Sequence, residues 1–177
     1  MSADFGATVE RYLRTPTPAS LRDVHRELCA GGNYDPELPL ERIAAPYLQN
    51  RRYDDLIDRV LEMMPGAMLS PRAHGVLADA YDAVGEHRGA ERERTLSRVS
   101  LQAILRSGDG SWSRPWSVLH VSDEADVVDF LGRRSEHVRY EERDDRLLDL
   151  HRCDDGSEVW FDVTVLHAAV SAGSPTR

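Results

Sequence analysis

The spacing of apolar residues changes period once along this chain. Up to about residue 104 they recur at helical intervals, and from Ser117 onward they alternate as strands do. Residues 4 to 14 place Phe5, Val9, Tyr12 and Leu13 on one side of a short helix. Pro16 and Pro18 interrupt it. Ser20 then stands as the cap of a second helix carrying Leu21, Val24, Leu28 and Cys29, with Asp23 at the capping-box position. Gly31-Gly32 closes that helix, and Asn33-Tyr34-Asp35-Pro36 is a loop.

A repeat of about 34 residues follows, the tetratricopeptide spacing. With Pro71 as its first position, the small and large residues needed where two helices cross are Leu77, Ala78, Tyr81, Gly85 and Ala90. One period earlier the same positions hold Ile43, Ala44, Tyr47, Arg51 and Leu56. Residues 37–70 and 71–104 thus resemble two degenerate tetratricopeptide repeats, with Pro46 expected to kink the first helix. A single helical hairpin cannot bury its own apolar face. The helices before Gly31 and the C-terminal segment are therefore expected to close the stack.

Beyond Ser107-Gly108-Asp109-Gly110 the pattern predicts a strand over Ser117–Val121 and a helix capped by Ser122 that stops at Gly132. Strands follow at His137–Glu141, Leu147–Arg152 and Val159–Leu166, joined by the turn sequences Arg143-Asp144-Asp145 and Asp154-Asp155-Gly156-Ser157. The expected fold class is α+β: tetratricopeptide-like hairpins over 1–106, then a small, mainly antiparallel β-α-β-β-β sheet over 107–170, with a disordered tail over 171–177.

Composition narrows the function classes. The chain has 177 residues and a net charge of −9, and its arginines are interleaved with acids, as in Glu91-Arg92-Glu93-Arg94. A nucleic-acid binder needs a basic face, and an anionic membrane asks for the same, so neither partner is expected. Every basic residue is arginine. Without lysine there is no Schiff-base chemistry of the pyridoxal-phosphate kind and no phosphate-loop lysine. Cys29 and Cys153 stand far apart, outside any Cys-x-x-Cys, which argues against a disulfide framework or a cysteine-rich zinc site. The N-terminus is polar and acidic, unlike a signal peptide, and no apolar run approaches the roughly 20 residues of a membrane helix. A cytoplasmic protein is expected, with no cofactor and no metal.

The run Ile104-Leu105-Arg106-Ser107-Gly108-Asp109-Gly110, the strand residues Val118 and Val121, the pair Asp123-Glu124, the Leu131-Gly132 stop and the final Trp160-Phe161-Asp162-Val163 together resemble a bacterial domain family of unknown function. Its members often set tetratricopeptide-like helices ahead of a short C-terminal β module. The resemblance covers about residues 101–165. Ser111 stands where the family usually has a basic residue, Ala125 and Asp126 where it has an aromatic, and Trp160 where it has Tyr. It implies an architecture and transfers no catalytic residue.

Two places could carry chemistry. The loop Ser107–Trp116 holds Asp109 between glycines, with Trp112, Arg114 and Trp116 able to line a pocket, although the glycines also serve a sharp turn. Strand alternation puts Leu119, Val121, Val159, Phe161, Val163 and Val165 toward the helix. It puts Trp116, His120, Trp160, Asp162 and Thr164 on the other face, joined by Asp149 and His151 and by His137, Arg139 and Glu141. His120, His151 and Asp162 would then be within reach of acid–base work, or of a two-His-one-carboxylate site in principle. The plainer reading makes this face solvated or packed on the helices, with Trp116 and Trp160 at the seam. His74 could line a concave repeat groove.

The expectation is thus a binding or interaction protein, with a protein or peptide partner and a small molecule as the other candidate ligand. The alternative is a small acid–base enzyme using Asp109, His120, His151 and Asp162.

Overall fold

The computed structural model describes the backbone over residues 3–173 and side chains over 5–168. Six helices come first: α1 (Ala3–Arg14), α2 (Pro18–Cys29), α3 (Leu40–Gln49), α4 (Tyr53–Glu62), α5 (Pro71–Ala83) and α6 (His87–Ser107). Then follow β1 (Trp116–Ser117), α7 (Val121–Phe130), β2 (Ser135–Arg143), β3 (Arg146–Cys153), β4 (Glu158–Asp162) and α8 (Thr164–Gly173). The fold is α+β, helices preceding a four-stranded mixed sheet. Among the described residues, no helix is long and apolar enough to cross a membrane.

The front helices follow from local chemistry. Pro18 supplies the preset φ of a first helical turn, so α2 starts there and Thr17, not Ser20, is its cap. Thr17 accepts from the Ser20 amide, and the Ser20 hydroxyl accepts in return from the Thr17 amide. Ser70 caps α5 in the same way, accepting from the Ala73 amide ahead of Pro71. Of the ten positions singled out by the 34-residue spacing, Ala44, Leu56, Leu77, Ala78 and Ala90 are buried, Ile43, Tyr47 and Tyr81 are partly buried, and Arg51 and Gly85 are exposed. The Tyr81 ring lies over Gly89, where an added Cβ would sit 3.0 Å from it. Helix α3 runs on through Pro46 to Gln49.

The sheet order is β1-β4-β3-β2. β3 pairs antiparallel with both β2 and β4, and β1 pairs with β4 in parallel. Asp144 and Asp145, with φ of 49° and 60°, form the two-residue hairpin turn between β2 and β3. β2 is the long outer strand, and nearly every position on it is exposed.

Two expected boundaries move. The strand foreseen over Ser117–Val121 ends at Ser117, and α7 begins at Val121 with His120, not Ser122, in the cap position. Asp123 causes this: its Oδ2 accepts from the amides of Leu119 and His120 at 3.0 and 2.9 Å, which turns the chain into the helix. The strand foreseen to Leu166 stops at Asp162, whose Oδ1 accepts from the Thr164 amide and hydroxyl at 3.1 and 2.6 Å. That bond nucleates α8, which carries the chain through residues 171–173; residues 174–177 of the expected disordered tail lie outside the described residues.

Two cores matter for the site. One packs Trp116, Val159 and Phe161 of the sheet against Val127 and Val128 of α7. The other joins the halves: Phe5, Tyr12, Leu21, Val24 and Leu28 pack with Ala103, Leu119 and Val165. The Tyr34 hydroxyl adds a bond to the Leu119 carbonyl across the same junction.

Candidate functional site

Register decides which side chains share a face. Asp149 pairs with Phe161 and His151 with Val159, so both polar residues lie on the α7 face of the sheet, along with Val138 and Tyr140 of β2. Leu148 and Leu150 lie on the other face and pack with Trp160. The expected polar face therefore does not form. His151 and Asp162 are on opposite faces, and Trp116, opposite Phe161, belongs to the α7 core while Trp160 does not. Alternation within each strand leaves the parity of β3 relative to β4 open, and a one-residue slip in register inverts every side chain.

The remaining expected residues also separate. His120 is fully buried beneath Tyr34, their rings 5.6 Å apart, and its Nδ1 lies 3.6 Å from Asp123. His25 is buried near the same pair. Burial pushes its pKa down to about 4, helped by His120 and opposed by Asp123. The cluster is buried in the junction between the halves. His74 is buried too, its Nδ1 2.7 Å from Glu93 and its Nε2 2.9 Å from the Met68 carbonyl, so it faces no groove. Asp109 is exposed. The Ser111 hydrogen bonds hold its carboxyl below the ordinary range, and Arg114 lies 3.3 Å away. Trp112 is at the surface under the Arg143 guanidinium, 4.2 Å from its ring centre. Among the described residues, no group of three or more His, Cys, Asp or Glu could hold a metal ion.

What the fold does bring together is a groove of about 390 Å³ on the α7 face of the sheet, walled by α7, β2, α8 and the 36–37 loop. Its walls are apolar: Pro36, Val121, Ala125, Val138, Val163 and Leu166. Its floor is not. Glu124 Oε2 meets His151 Nε2 at 2.6 Å, both residues buried, and Asp149 stands beside them. Burial raises the Glu124 pKa, against the pull of His151 and with a push from Asp149; burial raises Asp149 as well. The edge of the His151 ring contacts Phe161, 5.0 Å between centres, and its Nδ1 is buried without a hydrogen bond. The rim carries Glu37 and His167, the latter 5.2 Å from the Tyr140 ring.

Sequence reasoning named Asp149 and His151 but not Glu124 as a site residue. A signal existed: Val127 and Val128 define the inner face of α7, and residue 124 lies three and four positions before them on that face. A carboxylate there must be buried and must find a partner.

Comparison with known proteins finds no matching family model, no matching curated protein and no matching solved structure.

Proposed function

We infer that this chain is a binding protein whose groove takes a positively charged group carried on an apolar body, as in a peptide with an arginine or lysine between apolar residues. The observation that carries this reading is the floor of the groove. Two carboxylates, Glu124 and Asp149, stand poorly solvated among apolar walls, with His151 held against Glu124 and His167 out at the rim. A cation entering the groove supplies the missing counter-charge, and the walls take up the apolar flanks. The site has the profile of a small concave pocket with a few convergent polar groups.

The acid–base enzyme reading is less well supported. A general base must present a titrating atom to the ligand. His151 has its Nε2 on Glu124 and its Nδ1 buried in the protein. Asp109, His120 and Asp162 stand elsewhere, in the loop, the junction and the opposite sheet face.

The test compares acetyl-Val-Arg-Val-amide with its citrulline counterpart, which keeps the shape and loses the charge, by calorimetry and by amide chemical shifts. The expected result is binding of the arginine peptide at least about tenfold tighter, with shifts at Val138, Ala125 and Leu166, weakened in Glu124→Gln and Asp149→Asn. Equal affinity of the two peptides, or shifts that avoid the groove, would exclude the reading.

A further inference from the structure

A second pocket of about 220 Å³ opens where the front helices meet the Ser107–Trp116 loop and the end of the sheet. Arg22 from α2, Arg114 from the loop and Arg146 from the start of β3 all line it. In this acidic chain that is an unusual gathering, because most arginines here are spent on neighbouring carboxylates; Arg26 on Asp23, Arg52 on Asp55 and Arg59 on Glu62 are examples. Arg22 and Arg146 form no ion pair among the described residues. Arg114 has only the 3.3 Å contact with Asp109, on the exposed side of the loop. One carboxylate, Asp162, lines the pocket, and its Oδ1 is already engaged by the Thr164 amide and hydroxyl. Ser113 and Ser117 line the pocket as well.

The three arginines come from segments that the fold holds in place. Ser107 ties the loop at both ends, donating to the Ile104 carbonyl at 2.6 Å and accepting from the Ser117 amide at 2.8 Å. The Asp109 amide donates to the Arg114 carbonyl at 2.9 Å, which closes the loop on itself. Gly108 is packed so closely that a Cβ would lie 2.3 Å from that carbonyl. Arg146 follows the tight hairpin turn and is half-buried. Guanidinium forks presented from fixed backbone match the oxygens of a tetrahedral oxyanion, and serine hydroxyls complete such a cradle. The volume lies below the roughly 300–1,000 Å³ that encloses a drug-sized ligand, so the pocket suits a small head group.

The geometry points to an oxyanion site for phosphate, formed by Arg22, Arg114 and Arg146, on the far side of the sheet from the carboxylate groove. Free phosphate and the phosphate monoester of a small molecule present the same chemistry to this site. The site does not depend on the groove reading, since no lining residue is shared.

The test uses the full chain. Thermal stability is measured in sodium phosphate and in sodium chloride at matched ionic strength, and calorimetry is run with inorganic phosphate and with phenyl phosphate. Phosphate should raise Tm above the chloride control. Arg146→Gln and Arg22→Gln should each weaken binding about tenfold, while Arg98→Gln, outside the pocket, leaves it unchanged. Arg22 and Arg98 are exposed and Arg146 is half-buried, none with an ion pair among the described residues, and the circular dichroism and Tm of each variant without phosphate confirm folding. Tighter binding of phenyl phosphate identifies an esterified ligand, and tighter binding of inorganic phosphate a free one. Equal Tm in phosphate and chloride, or phosphate binding that survives both pocket substitutions, overturns the site.

Discussion

Glu124 and His151 stand 27 residues apart in the chain and meet at 2.6 Å, a buried acid–imidazole contact that ties α7 to the centre of the sheet. Replacing Glu124 by Ala removes a charge-assisted hydrogen bond and leaves the Nε2 of His151 buried without a partner. Bonds of this kind contribute about 1.5–3 kcal/mol, so urea denaturation of Glu124→Ala should show a loss in that range. A change under about 0.5 kcal/mol would mean the pair is not formed in solution.

His25 sets a pH dependence. Its folded pKa is near 4 and its unfolded value near 6.5, so the unfolded chain holds more protons between those limits. Stability contributed by the neutral, buried ring is full above about pH 6.5 and is lost as pH falls toward 4, by up to about 3 kcal/mol. Glu124, Asp126 and Asp149 act in the opposite sense. Their pKa values are raised by burial, so their contribution favours the folded state more as pH falls. The two effects separate in a difference experiment: the stability of the wild type minus that of His25→Leu should decline steadily from pH 7 to pH 4. Parallel curves would refute the assignment.

Gly110 and Gly132 both have positive φ, 72° and 68°, but differ in their surroundings. A Cβ at 110 would fall 2.5 Å from the Trp116 ring, whereas at 132 nothing lies within 4 Å. Gly132→Ala should therefore cost only the backbone penalty, about 1–2 kcal/mol. Gly110→Ala should add an overpacking cost of about 1–3 kcal/mol. Denaturant midpoints of the two variants measure the difference directly, and equal losses would show that the loop can move away from the indole.

The junction predicts that the halves do not part cleanly. Leu119 and Val165 fill a core whose other members include Phe5, Tyr12, Leu21, Val24, Leu28 and Ala103. A fragment beginning at Ser107 loses that packing and the Tyr34 bond to the Leu119 carbonyl. Expressed alone, it should give a poorly dispersed amide spectrum. A dispersed one would show that the sheet core is sufficient.

Helices and strands were legible because their periods are local. Helical spacing of apolar residues marked the helical front half, and the turn chemistry of Asp144 and Asp155 marked the hairpins. What failed depended on bonds between a side chain and a backbone several residues away. Asp123 capturing two amides ends β1 early, and Asp162 capturing Thr164 ends β4. Val163 and Leu166 fit either period, so only that capture chooses helix. The site was lost one step later, in pairing register: Asp149 faces Phe161, and no pattern within either strand specifies it.

The outer strand β2 has a further consequence. A nine-residue sheet edge with free backbone groups is a template on which a second molecule can add. Here its side chains include Glu136, Arg139, Glu141, Glu142 and Arg143, and a bulge between Ser135 and His137 breaks its regularity. Charged side chains along an exposed edge, together with the bulge, make it a poor template for a second copy. The strand least buried in this protein is thus also the one that guards it against self-association, and concentration-dependent aggregation should begin with its neutralisation.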